Sequence, residues 1–168
     1  MELKKEEKVE KKDNGILENV KLSGEIRMVL KDKYGNLKDN RLIKNTITTL
    51  GKAELAGLLL IDISGTAFDY IAIGVGTGGT TALNSECVSD GGERRGGADV
   101  VGTRVTTTVT DDTAQLVTTF TFTGALAITE EGIFNAAAAG VMLAYQSFSV
   151  LNVADGDTLA ITHKIKVG

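Results

Sequence analysis

Apolar and polar positions alternate with a period of two through most of this chain, and that period predicts strands. In the run from Val20 to Lys31, Val20, Leu22, Gly24, Ile26, Met28 and Leu30 share one face. Lys21, Ser23, Glu25, Arg27 and Lys31 share the other, with Val29 the exception. Asp32 to Asn36 reads as a turn, and Leu37 to Ile47 as a second, more polar strand. Thr48 and Thr49 offer an N-cap for a short helix from Leu50 to Leu60. Ala53, Ala56, Leu59 and Leu60 fall on one side of it, and Gly51 and Gly57 weaken it. Asp69 to Gly74 is a compact apolar strand.

The second half is richer in strand signals. Val100 to Val109 and Gln115 to Thr123 are Thr- and Val-rich runs around a short Asp-containing turn, which predicts a hairpin. Leu116, Phe120 and Phe122 share one phase of it, while Val117 and Thr119 lie on the opposite face. Apolar residues on both faces predict cover on both sides, one from the core and one from a neighbouring molecule. Ile128 to Asn135 and Val141 to Val150 read as further strands, joined by the alanine run Ala136 to Ala139, a turn or one helical turn. Asp155 to Asp157 opens a last strand with Leu159, Ile161, His163, Ile165 and Val167 on its apolar side. Eight or so strands and one helix predict a mainly β fold, an antiparallel, jelly-roll-like β-sandwich with one short helix near residues 50–60.

Residues 1–19 form a charged arm ahead of a single β-rich domain spanning residues 20–168. Met1 to Asn14 carries five Lys against four Glu and one Asp, with little apolar surface to offset the entropy of ordering. It is either a solvated tail or an arm that orders on a partner. The glycine-rich stretch from Gly76 to Ala98 is the longest loop and is expected to be the most mobile part of the body.

Composition narrows the function. The net charge is −4, which gives no global case for nucleic-acid binding. No apolar run approaches the roughly 18 residues of a membrane span, and the charged start lacks the apolar stretch of a secretory signal. The one cysteine, Cys87, has no partner for an intrachain disulfide. Twenty Gly and no Pro leave the tight turns to Gly, Asn and Asp.

Candidate chemistry is sparse. Gly74 to Thr80 follows a strand, yet lacks the Gly-Lys-Ser/Thr ending through which a P-loop lysine reaches phosphates, so it reads as a turn. Glu130 and Glu131 are adjacent in a strand and point to opposite faces, which rules out a carboxylate pair. Asp155-Gly156-Asp157 lacks the further oxygen ligands of a calcium loop. His163, the only histidine, reads as a core residue with one satisfied hydrogen bond. The expectation is therefore no catalytic residue, no cofactor and no metal. Arg94 and Arg95, beside Glu93 in a glycine-flanked loop, are the one basic cluster in the body. They are either a solvated loop tip or a contact arm for acidic groups on a neighbour. With Val117 and Thr119 they make up the candidate subunit or capsid contacts.

The order of these features resembles a known group. It runs from the Asp-Lys-Tyr-Gly-Asn hairpin at Asp32 through Lys44-Asn45-Thr46-Ile47 and the Gly51 to Leu59 helix. It continues through Tyr70-Ile71-Ala72-Ile73-Gly74, Gly76-Thr77-Gly78 and Glu93-Arg94-Arg95 to the Thr-rich hairpin. It ends with Ile128 to Asn135, Gly140 to Leu143, Phe148 and Gly156 to Thr162. This set is similar to small tailed-bacteriophage virion structural proteins of the head-fibre, decoration or tail-fibre-like group, over roughly residues 20–168. His163 stands where that pattern would place an aromatic. The resemblance implies a β-rich, oligomeric virion component without catalysis, assembled in the host cytoplasm, and leaves its place in the particle open. The leading expectation is a capsid decoration or head-fibre subunit that binds and stabilises the assembled capsid. Its partners would be the major capsid protein or other virion proteins and copies of itself, a trimer by preference, with no nucleic acid and no membrane. The alternatives are a tail or baseplate component and a carbohydrate- or cell-surface-binding β-sandwich. The last would want aromatic platforms, for which only Tyr34, Tyr70 and Tyr145 and no Trp are present.

Overall fold

The computed structural model describes residues 20–59 and 65–168; the charged arm and the predicted helix end at Leu60 lie outside the described residues. The described chain forms two antiparallel sheets, as the alternation predicts. Strands β1 (Leu22–Lys31), β2 (Leu37–Lys44), β5 (Val101–Val105), β6 (Thr113–Thr121) and β9 (Thr158–Val167) make a five-stranded sheet ordered β2-β1-β9-β6-β5. Strands β3 (Thr46–Ile47), β4 (Tyr70–Gly74), β7 (Leu126–Phe134) and β8 (Met142–Val153) make a four-stranded sheet ordered β3-β8-β7-β4. The pairings β1·β9, β3·β8, β4·β7 and β5·β6 nest inside one another. They are those of one long hairpin rolled up, the jelly-roll-like element of the fold.

The core lies between the sheets. Ile26, Met28, Leu30, Phe120, Leu159 and Ile161 meet Ile71, Ile73, Ile128, Leu151 and Val153 from the other side, all buried. Each follows from side-chain alternation: the even positions of β1 and the odd positions of β9 turn inward together. A second cluster, Ala72, Leu83, Phe134 and Met142, lies on the other face of the four-stranded sheet. That sheet is therefore covered on both sides around β4 and the adjoining parts of β7 and β8, while Ala127, Val150 and Asn152 at its far end are exposed; β9 alternates cleanly between buried and half-buried positions.

Two local readings need correction. The strand expected from Leu37 to Ile47 is broken at Asn45, where the chain leaves one sheet and enters the other. The Asn45 amide turns inward against Gly24, where any Cβ would stand 2.6 Å from it. The helix, α1 (Thr49–Gly57), is capped by Thr48, whose side chain accepts from the Gly51 amide. Its buried residue is Gly51, not Ala53 or Ala56, which are exposed, as is Leu59. A Cβ on Gly51 would lie 2.6 Å from the Leu143 carbonyl, so the glycine is what lets the helix approach β8. The alanine run forms a turn, with Ala139 and Gly140 at positive φ.

The long glycine-rich loop is tied down rather than free. Val75 donates to the Ser85 carbonyl, Cys87 to that of Ile73, and Ile71 and Arg95 exchange two backbone bonds. The loop thus closes the open edge of β4. Cys87 is buried within it, and burial pushes its thiol up to about 11, with nearby Glu86 and Glu130 adding to the effect. A thiol reagent such as dithiobis-nitrobenzoate is expected to leave Cys87 unmodified in native protein and to titrate it once denaturant is added. Prompt reaction in buffer would show that this loop opens.

Candidate interaction face

Because the four-stranded sheet is covered over much of its outer face, the outer face of the five-stranded sheet is the more open of the two. The register lays it out as rows running across the strands. One row reads Leu42, Arg27, Thr162, Val117, Val101. The next reads Lys44, Glu25, Lys164, Gln115, Thr103, and beyond it lie Ser23, Lys166, Thr113 and Val105. On the other side of the first row come Asn40, Val29, Ala160 and Thr119. Val117 is half-buried among its neighbours and Thr119 is exposed. Leu42 and Val101 close the two ends of the first row at 65 % and 59 % exposure, with Arg27 and Thr162 between Leu42 and Val117. The structure therefore places two of the predicted contact residues, Val117 and Thr119, on one open face, opposite Leu116, Thr118 and Phe120.

The other two, Arg94 and Arg95, are turned into the fold. Arg94 grips Glu86 with two bonds, Nε to Oε1 at 2.8 Å and Nη2 to Oε2 at 2.6 Å. Its Nη1 donates to the carbonyls of Ala136 and Ala139, and its guanidinium lies 3.8 Å from the centre of the Phe134 ring. Its side chain is only 7 % exposed. Arg95 donates to the Gly91 carbonyl and lies over Phe120. Both arginines fasten the long loop to the sheet, so neither is a free contact arm. Adjacent arginines beside a glutamate look the same in sequence whether their partner is internal or external.

The remaining polar candidates are also committed. The Glu130 carboxylate fills the space beside Gly74 and Gly76 and accepts from the amides of Gly76 (3.2 Å), Asn84 (3.2 Å) and Ser85 (2.8 Å). The glycine loop is built around an internal anion, which is why its amides point inward. Asp157 accepts from the Ala154 amide at 2.9 Å and pairs with Lys38, so it closes the turn before β9. Asp112 accepts from the amides of Val109, Thr107 and Thr108, and these bonds hold its carboxyl far below the usual carboxylate range. Among the described residues no cluster of three or more His, Cys, Asp or Glu is placed to hold a metal ion.

His163 is a core residue, but with more partners than its alternation reveals. Its Nδ1 lies 2.9 Å from Glu131 Oε1 and its Nε2 lies 2.6 Å from Asn45 Nδ2, with His163 and Glu131 both fully buried. An irregularity between Ile128 and Glu130, opposite Phe148 to Val150, shifts the phase of β7. That shift turns Glu131 inward and Glu130 outward. The trio joins the two sheets: Glu131 comes from β7, His163 from β9, and Asn45 from the crossing between β2 and β3. With Nδ2 donating to Nε2, the ring carries its proton on Nδ1 and donates it to Glu131. Turning the amide over places Oδ1 opposite a protonated Nε2, and the imidazolium then balances the carboxylate. In either state both ring nitrogens are engaged, so the trio is suited to locking the sheets together and has no free nitrogen for base catalysis.

No protein-family model, curated protein or solved structure matches this chain.

Proposed function

We propose that this protein is a non-enzymatic structural subunit of a tailed-bacteriophage particle, a capsid decoration or head-fibre component. On this reading it attaches through the outer face of its five-stranded sheet. The observation that carries the reading is the asymmetry of the sandwich. One sheet is covered on its outer face by its own chain around β4 and the adjoining parts of β7 and β8, leaving Ala127, Val150 and Asn152 exposed at its far end, and the other keeps a broader open face of Thr, Val, Lys and Arg. Buried polar groups support the same reading, because Glu130, Glu131, His163, Arg94 and Asp157 all serve internal contacts. Binding only to the assembled lattice would add its free energy to that state and stabilise it by mass action. The open edge of β5, with Val101 exposed, offers a further place for copies of the chain to associate.

Gold-labelled protein should decorate the heads of particles from the same lysate in a regular array under the electron microscope. Label confined to the tail would reassign the chain to a tail or baseplate role. Particles that carry no label and contain none of the chain by mass spectrometry would rule out a virion role. Native mass spectrometry of the purified chain should give an oligomer, with a trimer the expected species.

A further inference from the structure

We infer that the open face of the five-stranded sheet docks an acidic protein surface, with the row from Leu42 through Arg27 to Val101 at the middle of the contact. This rests on the reading of that face as the contact surface, and it adds the chemistry of the partner.

The charge of the face runs against that of the chain. The protein carries a net charge of −4. Yet that row and the rows flanking it hold Arg27, Lys44, Lys164 and Lys166 against Glu25 alone. Glu25 is partly offset in turn by Lys164, whose Nζ lies 3.7 Å from its Oε1. Lys166 is held toward the β5–β6 loop by donating to Thr108 Oγ1 at 2.6 Å. Arg27 and Lys44 are exposed, and no acidic side chain among the described residues pairs with either. The sequence spaces these cations far apart, from position 27 to position 166. Only the pairing of β1 with both β2 and β9 brings them together.

The face is also hollowed. Two depressions of about 240 and 540 Å³ lie on it side by side, and the Glu25–Lys164 pair borders both. Leu42, Arg27 and Thr162 line the larger one, and Lys44 and Lys166 the smaller. Leu42, Val117 and Val101 interleaved with Arg27 and flanked by lysines give the mixed apolar and arginine-bearing surface of a protein–protein contact. A sugar-binding face would instead present aromatic rings, and none of the residues in the four rows is aromatic. A basic surface of this kind is complementary to an acidic protein surface. Such complementarity steers encounter and fixes register.

The test uses poly-L-glutamate as the acidic polypeptide and heparin as an anionic glycan, titrated against the full chain and followed by fluorescence anisotropy. The wild type should bind poly-L-glutamate at about 20 mM salt and lose it by about 300 mM, where charges are screened within a few ångströms. Arg27→Glu with Lys44→Glu should weaken binding by about tenfold or more, while the thermal transition stays in place because both residues are exposed. Lys52→Glu, a charge change on α1 away from this face, should leave binding unchanged. Failure of the wild type to bind poly-L-glutamate, or equal binding by the Arg27/Lys44 variant, overturns the inference. So does binding to heparin alone, which would make the face a glycan site. Poly-L-glutamate binding without any labelling of particles would sink the virion reading and leave the acidic partner standing.

Discussion

Replacing His163 with leucine is expected to cost about 3–5 kcal/mol of stability, the usual result of removing one partner of a buried ionic contact. For a chain of this size that corresponds to a fall of roughly 6–20 °C in the thermal midpoint. The reason is what the substitution leaves behind. Glu131 is fully buried, its Oε2 has no partner among the described residues, and Oε1 depends on His163. Without the imidazole the carboxylate stands in the core without its donor. Asn45 loses its contact as well, at the point where the chain crosses between sheets. The companion variants separate the pair from its packing. His163→Leu with Glu131→Leu should recover most of the loss, because two apolar side chains at a buried ionic site are often as stable as the pair. Glu131→Gln keeps the shape and should cost less than His163→Leu. If His163→Leu lies within about 1 kcal/mol of wild type, then the carboxylate finds another partner and the trio is not what locks the sheets.

This trio marks the boundary of what the sequence discloses. The alternation in β9 places His163 on the apolar side, and the same rule puts Ile26, Met28 and Leu30 in the core; the structure agrees on all four. The Thr-rich hairpin appears as β5 and β6, with Leu116, Thr118 and Phe120 facing inward and Val117 and Thr119 outward. Period two reports which face a residue occupies. It does not report what lies across the core. Glu131 is 32 positions from His163 and Asn45 is 118 positions away, and nothing local links them. The phase shift beside Thr129 compounds this, since only the paired strand reveals which of two adjacent glutamates turns inward. Arg94 and Arg95 fail for a related reason: an exposed loop and a buried clamp share the same glycine-rich, charged composition. The helix face was misread because Gly51, which has no side chain to register in a hydrophobic pattern, is the residue that packs. The four rows of the open face were only half legible. Val117 and Thr119 followed from phase, but their alignment with Arg27, Leu42 and Val101 needs the register of four pairings.

Replacing Val117 and Thr119 together with lysine is expected to leave the fold intact and to weaken association with the particle by about tenfold to a hundredfold. Both side chains leave the sandwich on its outer side, so the core beneath them, Leu116, Thr118 and Phe120, is untouched. Val117 lies in the first row between Thr162 and Val101, and burying a valine against a partner is worth about 1.5–3 kcal/mol. A tenfold change in affinity corresponds to about 1.4 kcal/mol. Two long ammonium-bearing chains, one in that row and one in the next, hold the partner off and must be desolvated for it to close. The same positions changed to glutamate discriminate between packing and charge. If the partner is acidic, Val117→Glu with Thr119→Glu should lose more binding than the lysine pair, since it adds like-charge repulsion to the loss of contact. Equal losses would mean that packing alone holds the contact and charge has no part in it. Wild-type association by both variants would show that this face is solvent in the assembled particle. The edge of β5, where Val101 to Val105 is unpaired on one side among the described residues, would then be the contact to test next.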